Sequence, residues 1–161
     1  MAIIFDAGLL DRRTRQALTA FDLCKVVLCA AMAEALPGAT VYSSAQAQGV
    51  TAPAVFVRFG KMASQAKLDG VERVTLEAQC RYLPATPEDD GENEAAMQAM
   101  LDALWNIDGG EADFCVRERA AERTEAGATA RGALCADIRR EDAAGLAEGI
   151  MQTLSLTARA I

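Results

Sequence analysis

From Val71 to Tyr82 the chain alternates: Val74, Leu76, Ala78, Cys80 and Tyr82 are separated by Arg73, Thr75, Glu77, Gln79 and Arg81. A period of two predicts a strand with one dry face and one wet face. Such a strand needs a sheet around it and a cover over its dry side. Upstream, Thr19 to Leu36 repeats apolar residues at helical spacing, with Leu28, Cys29, Met32 and Leu36 on one stripe and Leu23, Val26, Val27 and Ala30 on a second. Thr19 and Asp22 have capping-box spacing, and Pro37-Gly38 supplies the stop. Two apolar stripes predict a helix covered on more than one side. A short strand is expected over Ala39 to Ser43, a polar loop over Ser44 to Ala52, and a near-continuous apolar strand over Pro53 to Lys61. Met62 to Gly70 reads as a mobile connection to the alternating strand.

Beyond Tyr82, Pro84 and Pro87 end the strand, and Glu88, Asp89, Asp90 and Glu92 precede a helix. Its apolar side is expected to hold Met97, Met100, Leu101, Leu104 and Trp105, up to Ile107 and the breaker Asp108-Gly109-Gly110. Ala112 to Glu122 and Thr129 to Arg140 read as a hairpin joined through Glu125-Ala126-Gly127-Ala128. The fold expected is α+β: a mixed, mainly antiparallel sheet of about five strands with two main helices packed on it. Its order is helix, strand, strand, strand, helix, strand, strand. The core is assigned to Leu28, Met32, Leu36, Val55, Val57, Leu76, Ala78, Cys80, Met97, Leu101, Leu104 and Leu134.

One domain is expected over residues 19–140, with residues 1–18 as an N-terminal arm or helix extension and 141–161 as a C-terminal extension. The start, MAIIFDAGLL followed by DRRTR, is compatible with a frayed end leading into a helix. In a ring it would instead be an arm that buries Ile3, Ile4 and Phe5 on a neighbouring subunit. Glu141 to Ile161 fits a terminal helix from Asp142 onward or an extended tail.

A formal net charge of −7 over 161 residues disfavours tight binding to a nucleic-acid backbone, and a hydrophobic content of 52% argues against disorder. The longest apolar run, Val26 to Ala33, falls short of the roughly 20 residues a membrane span requires. A soluble protein without an export signal is expected. Cys24, Cys29, Cys80, Cys115 and Cys135 stand in apolar surroundings without C-x-x-C spacing, and the chain has no histidine. They are read as buried reduced thiols. Phosphate-loop, H-E-x-x-H and G-x-S-x-G patterns are absent, so no catalytic residue, metal or cofactor is assigned. The acids at Glu88 to Glu92 and at Glu141-Asp142 sit where they would complement helix starts.

Certain residues stand in a recognisable series. Leu36-Pro37-Gly38 closes the first helix, Val41-Tyr42 lies in the next strand, Gln48-Gly49 in the loop, and Pro53-Ala54-Val55-Phe56-Val57-Arg58 opens the second strand. Arg81-Tyr82-Leu83-Pro84, an acidic stretch and the helix to Ile107 continue it. Over roughly Ala30 to Arg140 this resembles the tail terminator proteins of tailed bacteriophages, especially the type found in contractile-tailed phages and phage-like particles of Gram-positive hosts. The resemblance implies a non-enzymatic virion protein, assembled in the host cytoplasm. It would form a hexameric ring at the head-proximal end of the tail tube, ending tube polymerisation and presenting a surface to the neck. The implied partners are other copies of the chain, the tail tube protein, the tail sheath and neck or head-completion proteins. DNA would pass the lumen without specific binding, which an acidic wall favours.

Two other readings stand beside it: another neck or head-tail completion protein, and a small α+β ligand-binding or regulatory domain. For a ring, the interface is expected in parts that a lone domain leaves uncovered, namely Ala2 to Leu10, Met62 to Gly70 and Gly149 to Ile161. Its apolar candidates are Ile3, Ile4, Phe5, Ile150, Met151 and Leu154. Arg58, Arg73, Arg117 and Arg119 are its polar candidates.

Overall fold

Val74, Leu76, Ala78, Cys80 and Tyr82 are all buried on one side of their strand in the computed structural model, whereas Arg73, Glu77 and Arg81 are exposed on the other. The structure describes residues 2–44, 49–109 and 112–159, so Gln48, Gly110, Ala160 and Ile161 of the expectations above lie outside the described residues. The elements in chain order are β1 (Ala2–Ile4), α1 (Ala7–Thr14), α2 (Ala20–Ala35), β2 (Thr40–Tyr42), β3 (Ala54–Ala66), β4 (Val71–Leu83), α3 (Asp90–Trp105), β5 (Asp113–Thr124), β6 (Gly127–Arg139) and α4 (Ala143–Arg159). The strands form one sheet in the order β1-β2-β3-β4-β6-β5. β1 and β2 join in parallel, as do β2 and β3, and the remaining neighbours are antiparallel. The α+β class and the mixed, mainly antiparallel sheet are as expected. β1, α1 and α4 add to the expected order, because both chain ends fold onto the sheet.

α2 begins at the capping box expected: the Thr19 hydroxyl accepts from the Asp22 amide at 3.3 Å and the Asp22 carboxylate accepts from the Thr19 amide at 3.0 Å. Its two stripes are buried in two adjoining clusters. Leu23, Cys24, Val26 and Val27 meet Val74 and Leu76 of β4, while Leu28, Cys29 and Met32 meet Ala78, Cys80 and Tyr82. Ala143, Ala147 and Met151 of α4 cover the first cluster; Ala96, Met100 and Leu104 of α3 cover the second. The result is one layer of helices on one face of the sheet, with the other face open.

Three expectations are corrected. The segment Met62 to Gly70 is not a loose connection: β3 continues to Ala66, and a tight turn at Leu68–Gly70 leads directly into β4. This hairpin projects past the helix layer, leaving Met62 58% and Leu68 88% exposed. On α3 the dry line runs through Asn93, Ala96, Met100 and Leu104, so Leu101 and Met97 are half-buried and Trp105 is 70% exposed. Leu36, the residue that ends α2, is half-buried as well. Successive helix residues turn by about 100°, and the apolar side of α3 is broader than the strip that the sheet dries. Finally, Cys24, Cys29 and Cys80 are buried, but Cys115 is exposed and Cys135 half-buried, facing each other across β5 and β6 on the open side.

The joint between β5 and β6 is a two-residue turn, Glu125-Ala126, after which Gly127 is held at φ 145°. A Cβ there would stand 2.1 Å from the Tyr82 carbonyl oxygen, so the close approach of β6 to the end of β4 requires glycine.

Leu76→Ala is expected to cost roughly 2–5 kcal/mol in urea unfolding, and Leu101→Ala roughly 1 kcal/mol. Equal costs at the two sites would contradict the burial assigned to α3.

Candidate functional site

Among the described residues no group of three or more His, Cys, Asp or Glu side chains is placed to hold a metal ion, and no helix is long and apolar enough to cross a membrane. What the helix layer leaves uncovered is the wet face of the sheet and two of its strand edges.

Among the described residues most of the apolar side chains proposed for the chain ends are covered within the domain, while Ile4 and Leu10 stay exposed. β1 pairs with β2, Ile3 packs on one core cluster, and Phe5 packs between both. Met151 is buried and Ile150 and Leu154 pack against the first cluster. The premise that these side chains lack cover inside the domain is thereby corrected; Ile4, at 43% exposure, is the exception.

Charged contacts fasten both ends. Asp6 caps α1 by accepting from the Leu9 amide at 2.9 Å, and its second carboxylate oxygen accepts from Lys25 Nζ at 3.0 Å and from the Ser43 hydroxyl at 2.8 Å. Arg12 donates twice to Asp22, at 2.9 and 2.6 Å, and Arg13 donates twice to Glu148 of α4, at 2.8 and 2.7 Å. The basic run Asp11 to Arg15 is therefore structural. Sequence reasoning missed its partners because Arg13 and Glu148 lie 135 positions apart. Burial pushes the Asp6 carboxyl up, but the Leu9 amide, Lys25 and Ser43 outweigh it and bring its pKa to about 2. Burial likewise opposes ionisation of Asp22, and Arg12 and Thr19 hold it below the usual range.

The acidic stretch before α3 is structural in the same sense. Asp89 caps the helix by accepting from the Glu92 amide at 3.0 Å. Glu92 accepts from the Tyr82 hydroxyl at 2.7 Å and from the Ala85 and Thr86 amides at 2.9 and 3.3 Å, clamping the turn after β4. The Tyr82 hydroxyl, together with those amides, lowers the Glu92 pKa.

The four candidate arginines occupy different settings. Arg58 of β3 and Arg117 of β5 are exposed on the open face. Arg73 is held on that face in a two-bond pair with Asp137, at 2.7 and 2.6 Å. Arg119 lies over the Trp105 ring, 3.9 Å from its centroid, on the helix side. That contact needed two features invisible locally: the α3 register that exposes Trp105, and a bulge at Glu118 that reverses the facing of β5. Between Arg58, Glu77, Gln79, Glu118, Arg131 and Ala133 the open face forms a shallow polar depression.

Above pH 4 the ionised Asp6 contributes roughly 2 kcal/mol, an amount lost as the pH falls from about 3.8 through about 2, because its folded pKa is depressed. Asp6→Asn, which keeps a capping side chain, is expected to lower the urea stability at pH 6 by roughly 1–2 kcal/mol and to match the parent near pH 2. A constant difference across that range would contradict the charge contribution.

A family model described as phage tail terminator protein matches residues 27–129, from within α2 to the start of β6 and well over half of the chain. No curated protein matches it.

Proposed function

The chain belongs to the phage tail terminator family, a structural rather than an enzymatic one, and on that premise we propose that it closes the head-proximal end of a tail tube as a homo-hexameric ring. The ring ends tube polymerisation and offers its outer side to the neck. Its partners are the tail tube protein on one side and neck or head-completion proteins on the other, with the sheath as a further neighbour in a contractile tail. DNA traverses the lumen without specific contacts. The observation that carries this reading is the family match from within α2 through β2, β3, β4, α3 and β5 to the start of β6.

The distribution of surface supports it. Head-to-tail rings need two unlike surfaces on one subunit, and the two sides of this sheet differ: β3 and its projecting hairpin on one, β5 with α3 on the other. Ile4, Arg58 and Arg117 remain exposed for contacts between subunits. Arg73 and Arg119 would take part through the pair and stack they already make. Ile3, Phe5, Ile150, Met151 and Leu154 would act chiefly by supporting the subunit itself.

Light scattering of the purified protein at micromolar concentration is expected to give about six times the 17.0 kDa chain mass. Added to polymerising tube protein, it is expected to shorten the tubes and to appear as a ring at one tube end in electron micrographs. Tubes of unchanged length with the ring bound only to portal complexes would favour the neck-protein reading. Removal of Gly149 to Ile161, which takes Met151 from the core, is expected to cost roughly 2–5 kcal/mol of fold stability before any effect on assembly.

A further inference from the structure

We propose that the open edge of β3, Val57 to Ala66, is completed by β5 of a second copy of this chain, so that adjacent subunits share a continuous sheet head to tail. This rests on the ring reading above and names the surfaces that would close it. β2 pairs with β3 only at Ala54, Val55 and Phe56, whereas β4 pairs with it as far as Ala66. Among the described residues no strand lies on the other edge of β3 beyond Phe56, and β5 ends the sheet on the far side. A strand edge of this length presents unpaired N–H and C=O groups that another strand can satisfy.

Direction favours this pairing. The steps β3 to β4, β4 to β6 and β6 to β5 are each antiparallel, so β3 and β5 run in opposite directions. Head-to-tail repetition keeps subunits in one orientation, so β5 of one copy meets β3 of the next antiparallel. Both edges carry a bulge, between Phe59 and Met62 on β3 and between Arg117 and Ala120 on β5. Traced through β4 and β6 the two bulges fall at the same height of the sheet, so a kink in one edge can meet a kink in the other.

Charge separates this partner from the two-fold alternative. Between Ala52 and Leu68 the chain carries Arg58, Lys61 and Lys67 and no acid, and among the described residues none of these cations is in an ion pair. A symmetric β3 to β3 pair would bring them against their own copies. The β5 side draws its acid from α3, while β5 itself balances Asp113, Glu118 and Glu122 against Arg117, Arg119 and Arg123. From Glu88 to Asp113 the chain has no cation, α3 packs beside β5, and Glu118 is exposed at the bulge. Arg119 and Arg123 are engaged there by Trp105 and Asp90, and Glu122 by Arg131, which leaves Arg117 exposed beside Glu118.

Thiol cross-linking tests the pairing directly. Ala63, Thr75, Cys135 and Cys115 stand in register across the sheet on its open face, and Ser64 faces the helix side. Ala63→Cys with a short bis-maleimide is expected to give a covalent ladder of multimers through the native Cys115, at least about tenfold more than Ser64→Cys. Adding Cys115→Ser should abolish it. The double variant Lys61→Glu, Lys67→Glu is expected to raise the concentration for half-assembly at least about tenfold with an unchanged urea midpoint. A parent ring with no Cys115-dependent ladder and no effect of charge reversal would overturn the edge pairing and leave the ring reading standing. A parent that stays monomeric at every concentration would overturn both. Dimers linked through Ala63→Cys in the Cys115→Ser background would overturn the proposal in favour of the two-fold pair.

Discussion

The dry face of β4 is the constraint on which the rest of the molecule depends. Val74 and Leu76 at one end, and Ala78, Cys80 and Tyr82 at the other, must be kept from water along the length of the strand. α2 alone is too narrow to cover the neighbouring strands as well, so its two stripes divide between two clusters and each cluster takes a second helix. α4 supplies the cover on one side and α3 on the other. At roughly 25 cal/mol for each Å² of apolar surface removed from water, every one of these contacts matters to a domain whose net stability is of order 10 kcal/mol. The C-terminal segment is therefore part of the fold's hydrophobic closure.

The same one-sided closure explains the charge chemistry. Asp22 is buried because α2 is buried around most of its circumference, and a buried carboxylate needs compensation, which Arg12 and Thr19 provide. α1 is brought to α2 by that pair and by the cluster around Asp6, and to α4 by Arg13 and Glu148. Burial opposes ionisation of Cys24 and Cys80, raising each thiol to about 12, and pushes Cys29 in the same direction. These three are inert packing residues. The perturbed carboxylates Asp6, Asp22 and Glu92 thus mark joints of the fold.

An open sheet face and long free edges are features that proteins normally protect, and here the protection is partial. Bulges interrupt both edges, and Arg58 and Lys61 lie on β3 with Lys67 just past its end. Such devices oppose promiscuous pairing while still permitting a partner whose charge and shape match.

What the sequence determined by itself was whatever depends on neighbours a few positions away. The alternation in β4, the capping box and Pro-Gly stop of α2, the hairpin of β5 and β6, and the series of residues carrying the family resemblance were all legible because period and capping are local properties. The tertiary structure decided which side of α3 is dry, since its apolar residues cover a broader arc than the sheet can bury and Leu101 and Trp105 lost that competition to Met100 and Leu104. It also decided the placing of the chain ends. Nothing near Ile3 or Met151 in sequence announces that β2 will receive the one strand or that α2 will pack against the helix bearing the other. Those contacts join residues separated by tens of positions or more, and only the closing of the chain upon itself brings them together.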